Sequence, residues 1–375
     1  MKAKMILTAA ALAALAILSA GCKKQVFYRI VPGEQIQFKA TSNASLSTKT
    51  AYSGVHFSAE TGADYDYKER IDWVEDDEIT IAYVSFGGND GLCADSDTYK
   101  VTGVSNNNTE SSFATIAPTG GPYGGNGLVW RDNAVHQFYA CYPGMDKDEE
   151  YSFVSNGSSI SAVVPFDYPQ NQVVTRSASD ENVFLPDMSN AALLSNNGVS
   201  VSLPAGAEKV INLPFEPHFT AFEIQVAAKE GDSFKLKDFT LTSASENITG
   251  RFLWTLDPST GDWNDVDKAG NVYKTAAVDF SSFNITLTDA QTITFTVIVR
   301  EVSLYDPTIS FNIENGEGVT LNRSLKLTHA DGTSLRFAKK LKHRIYGLRI
   351  PLDLTTEPDG WFEATDAGGY TNQDW

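Results

Sequence analysis

Cys22 is the residue whose type and setting indicate a specific chemical modification. It follows the small residues Ala20 and Gly21 at the end of a basic and then apolar N-terminal segment. A signal peptidase cleft accepts small side chains at these positions, and cleavage before Cys22 leaves a thiol that can carry lipid such as palmitate. We therefore expect residues 1–21 to be a lipoprotein signal peptide and Cys22 to be the lipidation site.

The apolar segment Met5–Ile17 is too short to be a permanent membrane helix. It offers about 13 to 16 apolar residues, whereas a spanning helix needs about 20. A plain secretory signal and a retained anchor helix remain the alternatives. We expect the mature chain to be exported and held at the outer membrane by its lipid.

The other residues that could do chemistry form no catalytic pattern in the sequence. The five histidines stand singly, and the chain has no G-x-S-x-G, no H-E-x-x-H and no Cys or His pair at metal-ligand spacing. A carboxylate pair that meets only in the folded chain stays open. We predict that the protein is not an enzyme and binds no cofactor or metal.

Three further stretches have a functional and a structural interpretation. The carboxylates at 75–78 and in the loop 257–265 are either calcium ligands or solvated turns, and their spacing favours turns. The glycine-rich stretch 120–127 lacks the Lys-Ser/Thr of a phosphate loop and precedes a strand-like segment, which favours a turn. Cys93 and Cys141 form a disulfide in an oxidising envelope or stay as two free thiols.

Composition and charge indicate an exported all-β protein. The chain has 375 residues, a formal net charge of −18 and only 20% charged residues. A strongly acidic body is repelled by nucleic acid, so nucleic-acid binding is excluded. This length suggests two domains, at about 150 residues each.

The strand patterns give the predicted organisation. Segment 35–40 alternates polar and apolar residues, and so does the segment with Tyr346, Leu348, Ile350 and Leu352, where Pro351 favours a sheet edge. Residues of about 166–198 are poor in strand formers and are predicted to be a linker. The predicted units are a tether at 22–34, β-domains at 35–198 and 199–354, and a polar aromatic tail at 355–375.

Several motifs in this order resemble the fimbrillin-like (type V pilin) family of surface lipoproteins. The motifs are K-T-A-Y at 49–52, W-x-x-x-D-x-I at 73–79 with Asp76 where the family has glycine, F-Y-A-C-Y-P at 138–143, F-E-P-H-F-T-A at 215–221 and Y-G-L-R-I-P at 346–351. The resemblance implies two transthyretin-like β-sandwich domains in tandem, other pilin subunits as partners, and a role in adhesion, with a host receptor or glycan as a further partner.

The resemblance also implies assembly by β-strand exchange after an arginine-directed cut. Arg29 is the only arginine between Cys22 and Arg70, so it is the expected processing site. The exchanged elements would be the first strand, with Ile36 and Phe38, and the last, with Tyr346, Leu348, Ile350 and Leu352. A cut after Arg29 releases a segment too short for a core strand, which favours an anchor, accessory or tip subunit over a stalk subunit.

A surface lipoprotein that binds glycans for polysaccharide uptake is the competing prediction. Its sugar platform would be built from Trp130, Trp254, Trp263 or Trp361. Exposed, coplanar tryptophans would favour glycan binding, whereas buried tryptophans and an exchangeable terminal strand would favour the pilin.

Overall fold

The computed structural model describes residues 32–42, 51–52, 71–105, 113–119, 125–144, 153–155, 160–178, 180–189, 192–195, 199–202, 210–257, 262–328, 332–339 and 342–352. These ranges consist of strands and loops, with one short 3-10 helix at Ser281–Phe283. The predicted all-β class is confirmed. Across the ranges given above, no helix has the length and apolar character needed to cross a membrane.

The strands are numbered in chain order. Those before residue 170 are Gln37–Ser42 (β1), Ala51–Tyr52 (β2), Ile71–Asp72 (β3), Glu78–Phe86 (β4), Cys93–Ser105 (β5), Phe113–Pro118 (β6), Val135–Tyr142 (β7), Phe153–Ser155 (β8) and Ile160–Tyr168 (β9). Those from 170 to 228 are Asn171–Gln172 (β10), Val174–Arg176 (β11), Val183–Pro186 (β12), Leu193–Ser195 (β13), Val199–Ser202 (β14), Val210–Pro217 (β15) and Phe219–Ala228 (β16). The remainder are Ser233–Thr242 (β17), Thr249–Leu256 (β18), Trp263–Tyr273 (β19), Thr275–Asp279 (β20), Thr286–Thr288 (β21), Ile293–Arg300 (β22), Leu304–Tyr305 (β23), Thr308–Glu314 (β24), Thr320–Lys326 (β25), Arg336–Phe337 (β26) and Lys342–Ile350 (β27).

The largest sheet has eight strands, and β1 lies inside it. Its order is β13-β15-β1-β6-β5-β4-β7-β14, and β13 also pairs with β7. Because β13 pairs with both β15 and β7, the ladder closes on itself through Leu193 and Leu194. β1 therefore has a parallel neighbour, β15, on one edge and an antiparallel neighbour, β6, on the other.

A four-stranded sheet, β19-β18-β9-β8, shares a hydrophobic core with the eight-stranded sheet. Phe38 and Phe138 of the larger sheet belong to the same buried cluster as Phe166 and Trp254 of the smaller one. Both faces of β4 are buried from Ile79 to Ser85, so this strand shows no exposed polar face.

The second core lies between a five-stranded sheet, β11-β12-β22-β16-β27, and a sheet with the path β10-β20-β17-β24-β25, onto which β21 pairs through β17. The ring of Phe239 on β17 lies 4.9 Å from that of Phe295 on β22, across the interior. The small pairs β2-β3 and β23-β26 complete the described strands. β27 ends the order of its sheet, so the edge position predicted from Pro351 is confirmed.

The chain passes between the two cores more than once. β10 and β12 pair with β20 and β22 of the second core, whereas β13, β14 and β15 belong to the eight-stranded sheet. β18 and β19 then join β9 beside the first core. The division into domains 35–198 and 199–354, and their transthyretin-like arrangement, stay predictions.

The predicted linker at about 166–198 instead carries four short strands, β10 to β13. Its composition is poor in strand formers, but partners from distant parts of the chain fix these segments as strands. Val183 and Phe184, for example, pair with Thr294 and Phe295 of β22. Long-range pairing has here overridden local propensity.

Candidate strand-exchange site

The side chains of β1 alternate between the core and solvent, as the period-two pattern predicted. Ile36, Phe38 and Ala40 are exposed by only 2%, 3% and 0%. Gln37 and Lys39 between them face solvent. Together with Ile36 just before it, β1 therefore fills three alternate core positions between β15 and β6.

Phe38 is the main aromatic anchor of β1. Its ring meets those of Tyr99 and Phe138 edge-on, with centroids 5.2 and 5.3 Å apart. Phe138 is fully buried and lies 5.9 Å from the ring of Trp130. Edge-to-face pairs of this kind stabilise beyond the area they bury, by about 0.5–1.5 kcal/mol each.

Backbone hydrogen bonds hold β1 and the residues before it on both edges. Gln37–Ser42 runs in register with Val210–Phe215 of β15, and Lys39–Thr41 pairs with Phe113–Thr115 of β6. Upstream, the Ile36 N–H donates to the Leu128 carbonyl at 2.8 Å. If β1 left, two unpaired strand edges would face each other across one slot.

Asp97 fixes the end of the glycine-rich stretch, at Gly125 and Gly127, beside this slot. Its Oδ1 accepts from the Gly125 N–H at 2.7 Å, and its Oδ2 accepts from the Gly127 N–H at 2.9 Å. A Cβ at Gly125 would lie 2.6 Å from the carboxylate, so a side chain there would displace Asp97 from its N–H donors. The amide groups thus surround a carboxylate of the protein itself, which accounts for these glycines without a phosphate ligand. Sequence reasoning missed Asp97 because it lies far from the loop in the chain.

The last strand, β27, runs parallel to β16 and buries side chains in the second core, with a register shift opposite Ile224 and Val226 that puts Ile345 and Leu348 on the same face although they are three residues apart. The predicted common face of Tyr346, Leu348, Ile350 and Leu352 is therefore wrong at Tyr346. Ile345, Leu348 and Ile350 are at most 1% exposed. Leu352 is partly buried against the same cluster. Tyr346 lies on the other face, where its hydroxyl donates to Glu223.

A buried arginine fastens the C-terminal end of β27. The Arg323 side chain is fully buried, and its guanidinium donates to the Pro351 carbonyl at 2.9 Å and to the Leu352 carbonyl. The Leu352 N–H in turn donates to Asp232 at 2.7 Å. Because these contacts combine charge with burial, they hold the end of β27 more firmly than its ladder alone.

A buried pair, His218 and Glu301, lies where β15 passes into β16, and the exposed Lys339 reaches it from the surface. His218 is the single residue between these strands, and its Nδ1 lies 2.8 Å from Glu301 Oε2. Lys339 Nζ lies 2.9 Å from the other carboxylate oxygen, and the Trp254 ring lies 4.7 Å from the imidazole. The chain thus passes from β15, the neighbour of β1, to β16, the neighbour of β27, through His218, which these contacts hold in place.

The predicted site residues fall into separate places. Cys22 and Arg29 lie outside the described residues. Cys93 and Cys141 are free thiols, so the disulfide alternative is not realised. They pair with Ser85 and Thr80 respectively, at opposite ends of β4. Burial raises the pKa of the Cys141 thiol to about 12, which makes it unreactive.

The tryptophans named for a sugar platform are buried where the structure describes them. Trp130, Trp254 and Trp263 are 3%, 2% and 6% exposed, and Trp361 lies outside the described ranges. Among the described residues, no group of three or more His, Cys, Asp and Glu side chains could hold a metal ion.

Asp76 occupies the position at which the resembling family has glycine. Its φ is +73°, in the left-handed region that glycine adopts most easily. The next residue, Asp77, accepts from the Val74 N–H at 2.8 Å and closes the turn into β4. The left-handed backbone at this position therefore explains why the motif has glycine there, and aspartate tolerates the same conformation.

Structural comparison finds solved proteins of low identity. A "putative cell adhesion protein" of Bacteroides ovatus aligns with TM-score 0.45 and 10% identity over 91% of this chain and 99% of that one. A "putative cell adhesion protein" of Bacteroides fragilis gives 0.42 and 13% over 91% and 98%. The fimbrial anchor protein Mfa2 of Porphyromonas gingivalis gives 0.30 and 11% over 87% and 94%.

No family model and no curated protein matches the chain. The solved neighbours are named as adhesion and fimbrial proteins.

Proposed function

We propose that this protein is a lipid-anchored subunit of a fimbria-like surface structure that contributes to adhesion and assembles by β-strand exchange. The observation that carries the proposal is the setting of β1. It is the first of the described strands, it places alternate core side chains with the preceding Ile36, and it has a ladder on both edges inside a sheet that is otherwise closed. If β1 leaves, a slot opens between β15 and β6. A strand that enters it in the same way would run parallel to β15 and antiparallel to β6, which is the geometry of strand addition.

The position of β1 supports an anchor, accessory or tip role over a stalk role. Arg29 precedes the first residue of β1, Gln37, by eight residues. A cut after Arg29 therefore leaves β1 covalently joined to the body, with its slot filled. Acylation at Cys22 would tie an uncut chain to the outer membrane.

The buried tryptophans favour this role over glycan uptake. A sugar platform needs an aromatic face open to solvent, and Trp130, Trp254 and Trp263 pack into the first core instead.

The test compares three chains that lack the lipidation site, beginning at residues 23, 30 and 43. The first two keep β1 and are expected to stay monomeric in size-exclusion chromatography. The chain from residue 43 lacks β1 and is expected to form SDS-resistant ladders, because its slot binds a strand of a neighbour. The proposal would be overturned if that chain folded, by circular dichroism, and yet stayed monomeric and bound no added strand.

A further inference from the structure

The ladder between β1 and β6 is interrupted, and the two strands separate at this point. Lys39–Thr41 pairs with β6, whereas Gln37 and Phe38 pair with no described residue of that strand. On the opposite edge, β15 pairs with β1 along its whole length. A cleft of about 800 Å³ lies at the separation. This volume is within the range of about 300–1,000 Å³ that is typical of small-ligand sites.

Polar side chains from two neighbouring strands line the cleft on the solvent-facing side of the sheet. Lys39 of β1 lies opposite Asn212 of β15 in the ladder, and both are exposed. Gln37 is exposed on the same face, because it precedes Lys39 by two residues on one strand. The ammonium group and the two amides can therefore contact a bound molecule without any movement of the core.

A further amide is held in a fixed position in the wall of the cleft. Gln35 and Pro118, which both line the cleft, come together beside Gly127. A Cβ at Gly127 would lie 2.5 Å from Gln35 Nε2 and 2.7 Å from Pro118 Cγ, so glycine permits this close approach. The Gln35 amide donates to the Asn126 carbonyl, which fixes its orientation, and its oxygen can accept a hydrogen bond.

The rest of the described lining is mainly aliphatic or buried aromatic. Ile116 and Val210 stand on either side of β1, and Val210 is 38% exposed, so the cleft opens to solvent. None of the described residues that line the cleft is a tryptophan. Recognition in this cleft would therefore depend on hydrogen bonds and aliphatic contacts, and not on stacking of the kind that a tryptophan platform provides.

Charge limits the chemical class of ligand that suits the cleft. Of the described residues that line it, Lys39 is the only charged one, so these residues offer no carboxylate to a cation. The chain as a whole carries −18, which repels polyanions and a second copy of the chain alike. An uncharged molecule rich in hydroxyl groups avoids both problems. Each hydroxyl donates and accepts hydrogen bonds, as an amide side chain does.

We propose that the cleft between β1 and β6 binds an uncharged saccharide. The amides of Gln37 and Asn212 bond to its hydroxyl groups, and Lys39 donates to a further oxygen. Val210 packs against an apolar C–H face of a sugar ring. This inference rests on the proposed role in adhesion, for which it names a ligand class, and it does not require strand exchange.

The probes are four neutral saccharides, namely maltotriose, lactose, mannotriose and diacetylchitobiose, with trigalacturonate as the acidic comparison. Each is added to the chain that begins at residue 23, and saturation-transfer NMR detects binding. A titration then gives the dissociation constant. We expect at least one neutral saccharide to bind. Trigalacturonate should bind more weakly than that saccharide at low salt, because the acidic chain repels it.

Asn212→Ala and Gln37→Ala each remove one amide from the cleft and should raise the dissociation constant about two- to tenfold. Asn271→Ala is the matched control, since Asn271 is an exposed asparagine on β19, in a different sheet. It should leave the dissociation constant unchanged. Thermal unfolding followed by circular dichroism checks that the three variants are folded, as their exposed positions lead us to expect.

The outcomes separate this inference from the proposed function. Weaker binding in the two cleft variants alone supports the saccharide site. The site is overturned if Asn212→Ala and Asn271→Ala bind equally well, if trigalacturonate binds best, or if none of the five probes binds. In each of these cases strand exchange still stands or falls by the behaviour of the chain that begins at residue 43.

Discussion

At the scale of single residues, Asp97 shows how one buried carboxylate can order a loop. It accepts backbone N–H groups from Gly125, Gly127 and Thr98. Each such bond to a charged acceptor contributes about 1.5–3 kcal/mol, and a buried donor left alone costs a comparable amount. The loop it holds leads into Leu128–Trp130, which lies beside the start of the first strand.

Asp97→Ala should lower the free energy of unfolding by about 3 kcal/mol, because three N–H groups lose their acceptor. Urea unfolding measures the change. Asp95→Ala is the control on the same strand, since its side chain is 49% exposed and its nearest cation, Arg131, lies 3.8 Å away. That variant should change stability by less than about 1 kcal/mol. Equal effects in the two variants would contradict the role given to Asp97.

His343 gives the protein a defined sensitivity to acid. Burial lowers its pKa to about 4, and its Nε2 lies 2.8 Å from the Ala338 carbonyl between the rings of Phe222 and Phe337. An unfolded histidine has a pKa of about 6.5. Between pH 6.5 and 4 the unfolded chain therefore binds a proton that the folded chain does not, so stability falls as pH falls through this window.

His343→Phe should reduce that loss by about 2 kcal/mol between pH 6.5 and 4.5, because it removes one such proton and keeps an aromatic ring. Urea unfolding at several pH values measures the slope. Part of the slope should persist, since burial also lowers the pKa of His136 to about 4. An unchanged slope in the variant would show that His343 is not the group responsible.

At the scale of elements, the two terminal strands differ in how they are held. β1 depends on side-chain packing and an interrupted ladder, whereas the end of β27 is fastened by Arg323 and Asp232. The sequence predicted both as exchangeable. The contacts at Leu352 instead favour β1 as the strand that moves.

Arg323→Ala should lower the free energy of unfolding by about 3 kcal/mol, because two carbonyls lose a charged donor in a buried place. It should also speed hydrogen exchange at Leu348 to Leu352. Arg336→Ala is the control, because Arg336 is exposed, and it should stay within about 0.5 kcal/mol of the natural protein. If the Leu352 N–H of Arg323→Ala kept its normal protection from hydrogen exchange, the role given to Arg323 in holding the end of β27 would be contradicted.

The sequence predicted elements best where one face of a strand meets the core. Alternation located β1 and β27, and Pro351 predicted the sheet edge, because a residue without an N–H cannot sit in a central ladder. The sequence pattern did not predict the short strands β10 to β13, because they depend on distant partners such as Thr294. Asp97, Arg323 and the His218–Glu301 pair were also missed, since each acts on residues distant in sequence.

At the scale of the whole molecule, the closed eight-stranded sheet makes β1 the element on which the proposed assembly depends. A closed ladder presents few edges to other chains, which protects the monomer. Loss of β1 exposes two edges and a row of apolar pockets together. Under the proposed function, the chain stays a monomer while β1 fills its slot and binds its own kind when β1 is lost.

The most direct test of this account is the melting temperature of the dilute, freshly refolded chain that begins at residue 43, measured with and without the peptide of residues 35–42. If the peptide fills the slot at about 100 times its dissociation constant, it should add about 2.7 kcal/mol and raise the melting temperature of a chain of this length by about 4 °C. The Phe38→Asp peptide should have no effect. Equal melting temperatures with and without the natural peptide would contradict the claim that β1 can be replaced by a strand from another chain.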